Sequence, residues 1–463
     1  MSILDDHRRF HFVGIGGAGM SALAELLVAR GYEVSGCDRR PGPAAARLVR
    51  LGVDVREGHG DHAAPGSALV VTSAVPLDHP EIVAARERGD LVVRRAELLG
   101  TVMDRMRGIA VAGTHGKSTT TAMIGAVLEA AGGDPTVLVG GRIRGREGNA
   151  RIGQGPWLVA EADEFDRSFL ALSPECAVIN NLEADHLDTY GTMDALREAF
   201  GHFVGRTREG GVVALGIDDP EVRGLRVPPG RRAVTFGLHV EADVRGSGIE
   251  RRRLETGFLI RLPDQEAIPV ILGLPGAHNV LNALGAAAAA WGLGIPRDAI
   301  VRGLAAGQGV ERRFEIVHED ADILIVDDYA HHPSEIAATL ESARSGWPER
   351  RLVAVFQPHL YSRTRDLARE FGAALASADL VFVTNVYAAR EEPIPGVSGR
   401  LVSEAARTAS AEAIDVENGM AADTVAARLE PGDLVVTMGA GDIDSLARDL
   451  ALRRRRKGEG DGC

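Results

Sequence analysis

Residues 108–120 read GIAVAGTHGKSTT, a short apolar run that leads into a glycine-rich turn and a helix-forming stretch. The small and β-branched residues before Gly113 predict a buried strand, and the residues after Lys117 predict a helix. A glycine-rich turn between a strand and a helix presents backbone N–H groups to an anion. This stretch therefore predicts a phosphate-binding loop within a parallel α/β sheet.

Lys117 is the loop residue that would reach the β- and γ-phosphates of a nucleotide, and the Ser118 hydroxyl could ligate Mg²⁺. The chain has 52 basic residues, of which only Lys117 and Lys457 are lysines. A lysine in so arginine-rich a chain indicates a position that arginine cannot fill. Two residues, instead of the usual four, separate Gly113 from Gly116, but the strand–loop–helix context favours nucleotide binding.

A second glycine-rich turn, GIGGAG at residues 14–19, follows the apolar run FHFVG. Its spacing is typical of loops that hold a pyrophosphate at a helix N-terminus. Asp38 closes the next predicted strand and would contact a ribose if the ligand were NAD. The motif thus predicts a diphosphate ligand without identifying it.

Acidic side chains follow two later apolar runs, in WLVAEADEFD and in ECAVINNLEADHLDTYG. Because ligands of open parallel sheets bind at the carboxyl ends of the strands, we expect both clusters beside the phosphate loop. Carboxylate and imidazole groups are suitable Mg²⁺ ligands near phosphate oxygens. The clusters consist of Glu161, Asp163, Glu164 and Asp166, and of Asp185, His186 and Asp188.

Other polar residues lie at predicted element boundaries. Asn279 and Asn282 are three residues apart at a helix start, where they could contact an adenine or cap the helix. His332, the second of two histidines before a proline, could bind a metal or cap the next helix, and the cap is the expected role. Arg363 follows a predicted strand and suits capture of a carboxylate.

Apolar β-branched runs alternate with alanine- and leucine-rich stretches almost throughout, which is typical of parallel α/β architecture. The sequence predicts three α/β domains: a Rossmann-like sheet at 1–105, a central P-loop domain at 106–311 and a Rossmann-like domain at 312–463. Short strands between about 207 and 275 predict an antiparallel flap on the central domain. The basic run RRRRKGEGDGC at the C-terminus predicts a disordered tail.

Composition restricts the class of protein. The 463 residues carry a formal net charge of −13, which argues against nucleic acid as the main partner. Three widely spaced cysteines exclude a disulfide framework and favour a reducing compartment. The N-terminus does not resemble a signal peptide, and no apolar run is long enough to span a membrane. We therefore expect a cytoplasmic enzyme that does not insert into membranes.

Ten motifs, in one order from Phe10 to about Leu446, resemble those of the Mur ligases, which build the peptide of peptidoglycan. The motifs are GIGGAGMS, AGTHGKST, EADEFD, NLEADHLDTYG, GAHNVLNA, RRF, DDYAHHPSE, FQPHLYSRTRD, NVYAAREEP and GAGDI. The resemblance implies an N-terminal domain for a UDP-linked substrate, a central ATPase domain and a C-terminal domain that admits an amino acid. It also implies that GIGGAGMS holds a UDP diphosphate instead of NAD.

The implied reaction joins L-alanine to the carboxylate of UDP-N-acetylmuramate through an acyl phosphate made with ATP. Ser118 and Glu161 would hold the Mg²⁺ that bridges the β- and γ-phosphates, and His186 would hold a second ion. The implied nucleotide contacts are Gly113, Thr114, His115, Gly116, Lys117, Ser118, Thr119, Asn279, Asn282, Arg313 and Asp328. The implied substrate contacts are Gly16, Gly17, Ala18, Gly19, Met20, Asp38 and Ser73 for UDP-N-acetylmuramate, and His332 and Arg363 for alanine. The implied catalytic residues are Lys117, Glu161, His186, Asn279, Asn282, Arg313 and Asp328.

Three alternatives remain open from the sequence. A nicotinamide oxidoreductase would explain GIGGAG but would leave GTHGKST without a role. A UDP-sugar-binding regulator with an inactive ATPase conflicts with the presence of every implied catalytic residue. A recycling ligase that attaches a preformed tripeptide to UDP-N-acetylmuramate differs mainly in the third domain. Leu360 stands where several relatives carry arginine, so the contacts of that position do not carry over.

Overall fold

The computed structural model describes residues 3–185, 187–307, 309–389 and 391–460. The chain forms two compact units, one made of Met1–Gly248, Phe258–Leu272 and Asn279–Val310, the other of Ile249–Gly257, Gly273–His278 and Glu311–Cys463. Three sheets flanked by helices organise the described residues. The predicted α/β class with three domains is confirmed.

The first sheet has five strands in the order β3-β2-β1-β4-β5, and its pairs are all parallel. The strands are β1 (Arg9–Val13), β2 (Glu33–Asp38), β3 (Asp54–Glu57), β4 (Ala68–Val71) and β5 (Val92–Arg94). The helices are α1 (Ile3–Asp6), α2 (Ala18–Ala29), α3 (Pro43–Arg50), α4 (Pro80–Arg88) and α5 (Arg95–Asp104). The apolar runs predicted the buried strands β1, β2 and β4, whereas the edge strands β3 and β5 are too short and charged to show a pattern.

The second sheet has ten strands in the order β15-β14-β13-β12-β11-β10-β6-β9-β7-β8. The strands are β6 (Arg107–Ala112), β7 (Thr136–Leu138), β8 (Ala150–Arg151), β9 (Trp157–Glu161), β10 (Cys176–Ile179), β11 (Val212–Gly216), β12 (Arg232–Gly237), β13 (Val244–Arg252), β14 (Glu255–Arg261) and β15 (Ile268–Leu272). The helices are α6 (Lys117–Ala130), α7 (Leu187–Tyr190), α8 (Met193–Gly205), α9 (Pro220–Arg223), α10 (Ala277–Gly292), α11 (Arg297–Ala306) and a 3₁₀ helix at Phe165–Ala171. Strands β6, β9 and β10 are buried and parallel, so their carboxyl ends share one edge.

The predicted antiparallel flap at 207–275 is wrong in its first part. Strands β11 and β12 pair in parallel, as do β12 and β13, and they extend the central sheet. The glycine and proline residues between these strands suggested tight hairpins, but α9 and longer loops connect them in parallel order instead.

The third sheet has six strands in the order β16-β17-β21-β18-β19-β20, parallel except for the antiparallel pair of β16 and β17. The strands are β16 (Glu315–Glu319), β17 (Leu324–Asp328), β18 (Arg351–Phe356), β19 (Leu380–Val383), β20 (Ala413–Asp415) and β21 (Asp433–Met438). The helices are α12 (Pro333–Gly346), α13 (Tyr361–Asp366), α14 (Ala368–Leu375), α15 (Gly399–Thr408), α16 (Ala421–Ala426), α17 (Asp444–Gly460) and a 3₁₀ helix at Asn418–Met420.

The expected disorder of the basic tail is corrected in part, because α17 continues through Gly460. Arg454 Nη2 lies 3.0 Å from Asp322 Oδ2 and 3.3 Å from Asp320 Oδ2, and Arg453 pairs with Asp423. Acidic partners in the same unit hold these arginines, which periodicity within the tail could not reveal. Within the described ranges, no helix is long and apolar enough to cross a membrane.

Candidate functional site

The phosphate loop lies between β6 and α6, as predicted. Gly113 and Gly116 have φ values of 137° and 80°, which side-chain-bearing residues rarely adopt. A Cβ on Gly116 would also lie 2.1 Å from Asn282 Oδ1. No side chain caps the N-terminus of α6, so its first N–H groups are suited to receive an anion.

The ammonium group of Lys117 lies inside the curl of this loop. Its Nζ donates to the backbone oxygens of Gly113 at 2.7 Å and Thr114 at 3.3 Å, and to both carboxylate oxygens of Glu164 at 3.0 and 2.9 Å. Burial disfavours the charge, but Glu164, Asp163 and Glu161 outweigh it and raise the pKa of Lys117. Lys117 therefore keeps its positive charge and is surrounded by carboxylate groups.

Glu161 and Ser118, the predicted pair of Mg²⁺ ligands, are brought together at the end of β9. The Ser118 side chain hydrogen-bonds to the Glu161 carboxylate, which also accepts the Gly140 N–H at 2.5 Å. Burial raises the pKa of Glu161 despite these hydrogen bonds. A cation at this carboxylate would relieve that penalty, so the oxygen donors fit a hard divalent ion.

Four asparagines support the loop from behind. Asn181 Oδ1 accepts the His115 N–H at 2.8 Å, and Asn180 Nδ2 donates to Thr120 Oγ1 at 3.0 Å. Asn282 Oδ1 accepts from the same Thr120 hydroxyl at 3.3 Å, and Asn282 Nδ2 donates to Asn279 Oδ1 at 3.2 Å. Of the two predicted residues, Asn282 thus lies against the phosphate loop at Gly116, and Asn279 supports it from behind.

Two further acids that were predicted to lie beside the phosphate loop, Asp166 and Asp185, form hydrogen bonds within their own loops. Asp166 has a φ of 55° and accepts the Ser168 N–H at 3.1 Å, so it shapes the turn at the 3₁₀ helix. The Asp185 N–H donates to the Glu183 carbonyl at 2.8 Å in the loop after β10. His186 and the side chain of Asp188 lie outside the described residues, so the second metal ligand stays a prediction.

Asp38 holds the N-terminal loop GIGGAG in place. The Asp38 carboxylate accepts the Gly16 N–H at 2.9 Å and the Arg40 N–H at 3.0 Å. A Cβ on Gly16 would lie 2.8 Å from Asp38 Oδ2, and one on Gly19 would lie 2.8 Å from Arg95 Nη1. Asp38 therefore positions the loop, and the contact to a ribose that the NAD interpretation suggested has no support here.

A cavity of about 350 Å³ connects the GIGGAG loop with the carboxylates at the end of β9, next to the phosphate loop. Its walls include the loop residues Gly17, Ala18, Gly19 and Met20, the exposed Ser73, the guanidinium-bearing Arg94 and Arg95, and the acids Glu161 and Asp163. One ligand could therefore contact the GIGGAG loop at one end and the Glu161 carboxylate at the other.

In the second unit, Asp328 lies at the carboxyl end of β17. Its oxygens accept the Phe314 N–H at 2.7 Å and the Ala330 N–H at 2.8 Å, and burial raises its pKa to about 6. Burial opposes the charge of Arg313, but Glu335, at 3.3 Å from Nη1, and Asp328 raise the pKa of this guanidinium. The two predicted residues are therefore electrostatically coupled.

His332 and Arg363, predicted for the alanine side, are both buried, at 7% and 8% exposed. His332 occupies the N-cap position of α12, as expected, but its Nδ1 pairs with Ser334 Oγ at 2.9 Å and not with a backbone N–H of the helix. Arg363 belongs to α13, which begins directly after Leu360, a buried residue with a φ of 69°. Burial lowers the pKa of the neighbouring His331 to about 3, so this imidazole is neutral.

Sequence reasoning missed the contributions of four residues. Glu164 was recognised as an acid but not as the partner of Lys117. Asn180 and Asn181 directly follow β10, and the rule that selected the acids at strand ends could have found them. Arg95 begins α5 within a run without a glycine motif, so nothing in the sequence distinguished it from other arginines.

Three family profiles match the chain: the catalytic domain of the Mur ligase family at residues 9–107, the Mur ligase middle domain at 157–290, and the glutamate ligase domain of Mur ligases at 312–441. The matched segments carry the GIGGAG loop, the Glu161 carboxylate and the Asp328 strand end.

Curated relatives and solved structures resemble nearly the whole chain. The UDP-N-acetylmuramate–L-alanine ligase of Chlorobaculum parvum is 45% identical, covering 98% of both chains, and that of Halorhodospira halophila is 47% identical, covering 96% of this chain and 93% of the relative. The crystal structure of the Thermotoga maritima UDP-N-acetylmuramate-alanine ligase has a TM-score of 0.82 and 31% identity, covering 97% of this chain and 100% of that one. A murein peptide ligase from Psychrobacter arcticus has a TM-score of 0.71 and 25% identity, covering 96% and 98%. With 45% identity over its full length, the chain belongs to the Mur ligase family.

Proposed function

We propose that this enzyme joins L-alanine to the carboxylate of UDP-N-acetylmuramate, with ATP converted to ADP and phosphate, in peptidoglycan precursor synthesis. The observation that carries the proposal is the single cavity that extends from the GIGGAG loop to Glu161 beside the Lys117 loop. A substrate with a diphosphate and a distant carboxylate would fill such a cavity from end to end. The curated relatives at 45–47% identity bear the name of this activity.

The first half of the cavity suits the diphosphate of the UDP substrate. Residues 17–20 open α2, whose N-terminus has no side-chain cap, and Arg95 lies against Gly19. Backbone N–H groups and a guanidinium are the donors that phosphate oxygens favour. Asp38 keeps the loop in shape from the opposite side.

The phosphate loop, which adjoins the cavity at Glu161, suits ATP with Mg²⁺. The glycine curl of residues 113–116, the uncapped start of α6 and the buried ammonium of Lys117 fit the phosphates of a nucleotide. Ser118 and Glu161 supply adjacent oxygen donors for Mg²⁺, and His186 is the proposed ligand of a second ion. When bound, Mg²⁺ would neutralise charge between the nucleotide and the substrate carboxylate.

The reaction begins when the substrate carboxylate attacks the γ-phosphorus of ATP and forms an acyl phosphate with release of ADP. Lys117 stabilises the charge of the transferring phosphoryl group, since Glu164 and the loop carbonyls hold its ammonium in place. The alanine amine then attacks the acyl carbon, loses a proton and expels phosphate. Arg363 would orient the alanine carboxylate, and Asn279, Asn282, Arg313 and Asp328 would contact the nucleotide.

The remaining assignments complete the proposal. Thr114, His115 and Thr119 contact the phosphates, Ser73 contacts the UDP substrate and His332 lies on the alanine side. The domain bounds are 1–105, 106–311 and 312–463. The enzyme acts in the cytoplasm on small molecules and serves cell wall synthesis, cell shape and cell division.

The test measures phosphate release from ATP with defined substrates. We expect release only when UDP-N-acetylmuramate and L-alanine are both present, with a product mass that corresponds to their amide. L-serine, glycine and the tripeptide L-alanyl-γ-D-glutamyl-diaminopimelate are the comparison nucleophiles. Faster turnover with the tripeptide than with L-alanine would favour the recycling ligase and contradict the proposal.

A second arm tests the diphosphate site. Arg95→Ala should raise the KM for UDP-N-acetylmuramate roughly tenfold, because one charge-assisted contact is lost, and should leave the KM for ATP unchanged. Arg86→Ala is the control, since Arg86 is exposed in the same domain. Competition by NAD(H) at the affinity of the UDP substrate would mean that the loop serves a dinucleotide.

A further inference from the structure

A second group of ligating side chains lies within the first sheet, away from the cavity walls. His11 of β1, Cys37 of β2 and Glu81 of α4 are each at most 1% exposed. One ligand atom from each of the three lies within 4.8 Å of the other two. Residues from three separate elements thus converge on one buried point.

The three side chains already contact one another. His11 Nε2 pairs with Glu81 Oε2 at 3.0 Å, and the Cys37 thiol donates to the other oxygen, Glu81 Oε1, at 2.9 Å. Apart from this pair, His11 Nε2 and Glu81 Oε2 have no hydrogen-bond partner among the described residues. A cation could therefore replace the protons that now join these groups.

The orientation of His11 suits metal binding. Its Nδ1 pairs with Ser35 Oγ at 2.8 Å, which leaves Nε2 directed at the cluster. Metal-binding histidines are usually held in this way, with the second ring nitrogen bonded to a neighbouring group. The ring is therefore fixed in a ligating position before any ion arrives.

A loop next to the cluster offers further donors. His59 Nδ1 lies 3.3 Å from Cys37 Sγ, and His62 Nδ1 lies 3.7 Å from Glu81 Oε1. The Gly60 N–H between them donates to Glu81 Oε1 at 3.3 Å. A fourth ligand is thus available at the side of the sulfur atom.

We propose that His11, Cys37 and Glu81 bind one zinc ion, and that the exposed His59 moves toward it as the fourth ligand. Sulfur, nitrogen and carboxylate donors are the ligand set of Zn²⁺, whereas Mg²⁺ prefers oxygen alone. Tetrahedral bonds of about 2.0–2.3 Å separate ligand atoms by about 3.3–3.6 Å. The atoms of the three buried ligands lie within 4.8 Å of one another, so small side-chain movements would reach these separations.

Charge and proton balance are consistent with this assignment. The Cys37 thiol donates its proton to a hydrogen bond with Glu81 Oε1, so it is protonated when no cation is present. Zinc binding forms the S–Zn bond and releases that proton to solvent. The thiolate and carboxylate together then balance the two charges of the ion.

The proposed zinc site would stabilise the substrate domain. It connects β1 and β2 with α4 and with the loop at residues 58–62. Cys37 directly precedes Asp38, whose carboxylate holds Gly16 in the GIGGAG loop. The ion would therefore hold β1, β2 and α4 together next to the GIGGAG loop.

The experiment loads the full-length, chelator-stripped protein with Zn²⁺ or Co²⁺ in excess Mg²⁺, which saturates oxygen-rich sites. We expect one retained zinc per chain, a sulfur neighbour at about 2.3 Å in X-ray absorption, and a thiolate-to-cobalt charge-transfer band. Zinc should also raise the Tm by several degrees, since it binds only the folded state.

Cysteine variants locate the sulfur ligand. Cys37→Ser should lose the charge-transfer band and the zinc-dependent rise in Tm. Cys176→Ser and Cys463→Ser should keep both, and Cys176 is the matched control because it is equally buried. His59→Ala, a milder variant, should weaken zinc binding roughly tenfold or more without preventing folding.

Two results would overturn the proposal. A wild-type protein that retains no stoichiometric zinc and gives no sulfur signal would show that the cluster is a hydrogen-bonded network only. A charge-transfer band that persists in folded Cys37→Ser but disappears in Cys463→Ser would assign the sulfur to the C-terminus. Neither result depends on ligase turnover, so the zinc site and the proposed function are tested separately.

Discussion

The phosphate loop of the first unit and the strand ends of the third sheet differ in their balance of charge. Around the loop, one lysine is surrounded by the carboxylates of Glu161, Asp163 and Glu164. At the strand ends, Arg313 lies beside the two acids Glu335 and Asp328. The first, the acidic region, has surplus negative charge, whereas the second, the basic region, pairs its arginines with acids.

This difference indicates what each region can accept. Carboxylates that burial destabilises, such as Glu161, gain from a divalent cation and through it from a nucleotide. Arginines around a carboxyl group gain from further anions, which suits an amino-acid carboxylate or a phosphate. We therefore expect the acidic region to bind its anion together with a divalent cation, and the basic region to bind an anion through its arginines.

Lys117→Ala removes the ammonium group that lies among these loop carboxylates and should have the largest effect. We expect kcat to fall roughly a thousandfold, since a preorganised charge at the transferring phosphoryl group is lost. Steady-state kinetics with circular dichroism as a folding check measures this. Lys117→Arg should be almost as inactive, because the carbonyls of Gly113 and Thr114 enclose a single ammonium. Near-normal turnover in either variant would exclude Lys117 from the chemistry.

Asp328→Asn tests the buried acid of the basic region. Because the pKa of Asp328 is about 6 in the folded state against 3.8 ordinarily, the folded protein keeps a proton that the unfolded chain loses. Wild-type stability should therefore fall by about 2 kcal/mol as pH rises from about 4 to about 6. Urea unfolding across this range should show the decline in wild type and a smaller one in Asp328→Asn. Equal pH dependence in both proteins would contradict the raised pKa.

Glu161→Gln keeps the shape of the acidic region but removes one charge. We expect ligation to slow roughly a hundredfold at limiting Mg²⁺, because a metal ligand contributes several kcal/mol of charge stabilisation. His186→Ala should behave similarly if it holds the second ion. Glu129→Gln, which changes a carboxylate paired with Arg146 and Arg151, serves as the control. Full turnover at limiting Mg²⁺ would remove the affected residue from the metal site.

Arg363→Ala tests whether Arg363 in the basic region binds the carboxylate of L-alanine. Of these variants it should have the smallest effect. We expect the KM for L-alanine to rise roughly tenfold to thirtyfold, since one buried guanidinium–carboxylate pair is lost. The KM for ATP should stay nearly constant. Arg365→Ala is the control, because Arg365 is exposed and pairs with Asp366. A selective rise in the KM for ATP would place Arg363 at the nucleotide instead.

The sequence predicted the features that depend on local pattern. Buried runs such as those of β6 and β10 identify central strands, and the glycines at 113 and 116 identify the loop between them. The rule that ligands bind at the carboxyl ends of strands correctly predicted that Glu161 lies beside the loop that contains Ser118.

The features that sequence missed depend on contacts distant along the chain. Arg95 meets Gly19 only because α5 packs beside α2, and the zinc cluster unites residues up to 70 positions apart. The parallel order of β11, β12 and β13 depends on how their connections cross, which short turns do not reveal. The helical tail forms because Asp320, Asp322 and Asp423 are near enough to pair with its arginines.

The ion pair between Lys117 and Glu164 also determines which anions can bind in the phosphate loop. An incoming anion must compete with a carboxylate that already contacts the ammonium through both of its oxygens. A singly charged anion gains little from that exchange, whereas a polyphosphate brings more charge and also meets the backbone donors of α6. Glu164 thereby keeps the loop from being occupied by the abundant small anions of its surroundings and reserves it for the nucleotide.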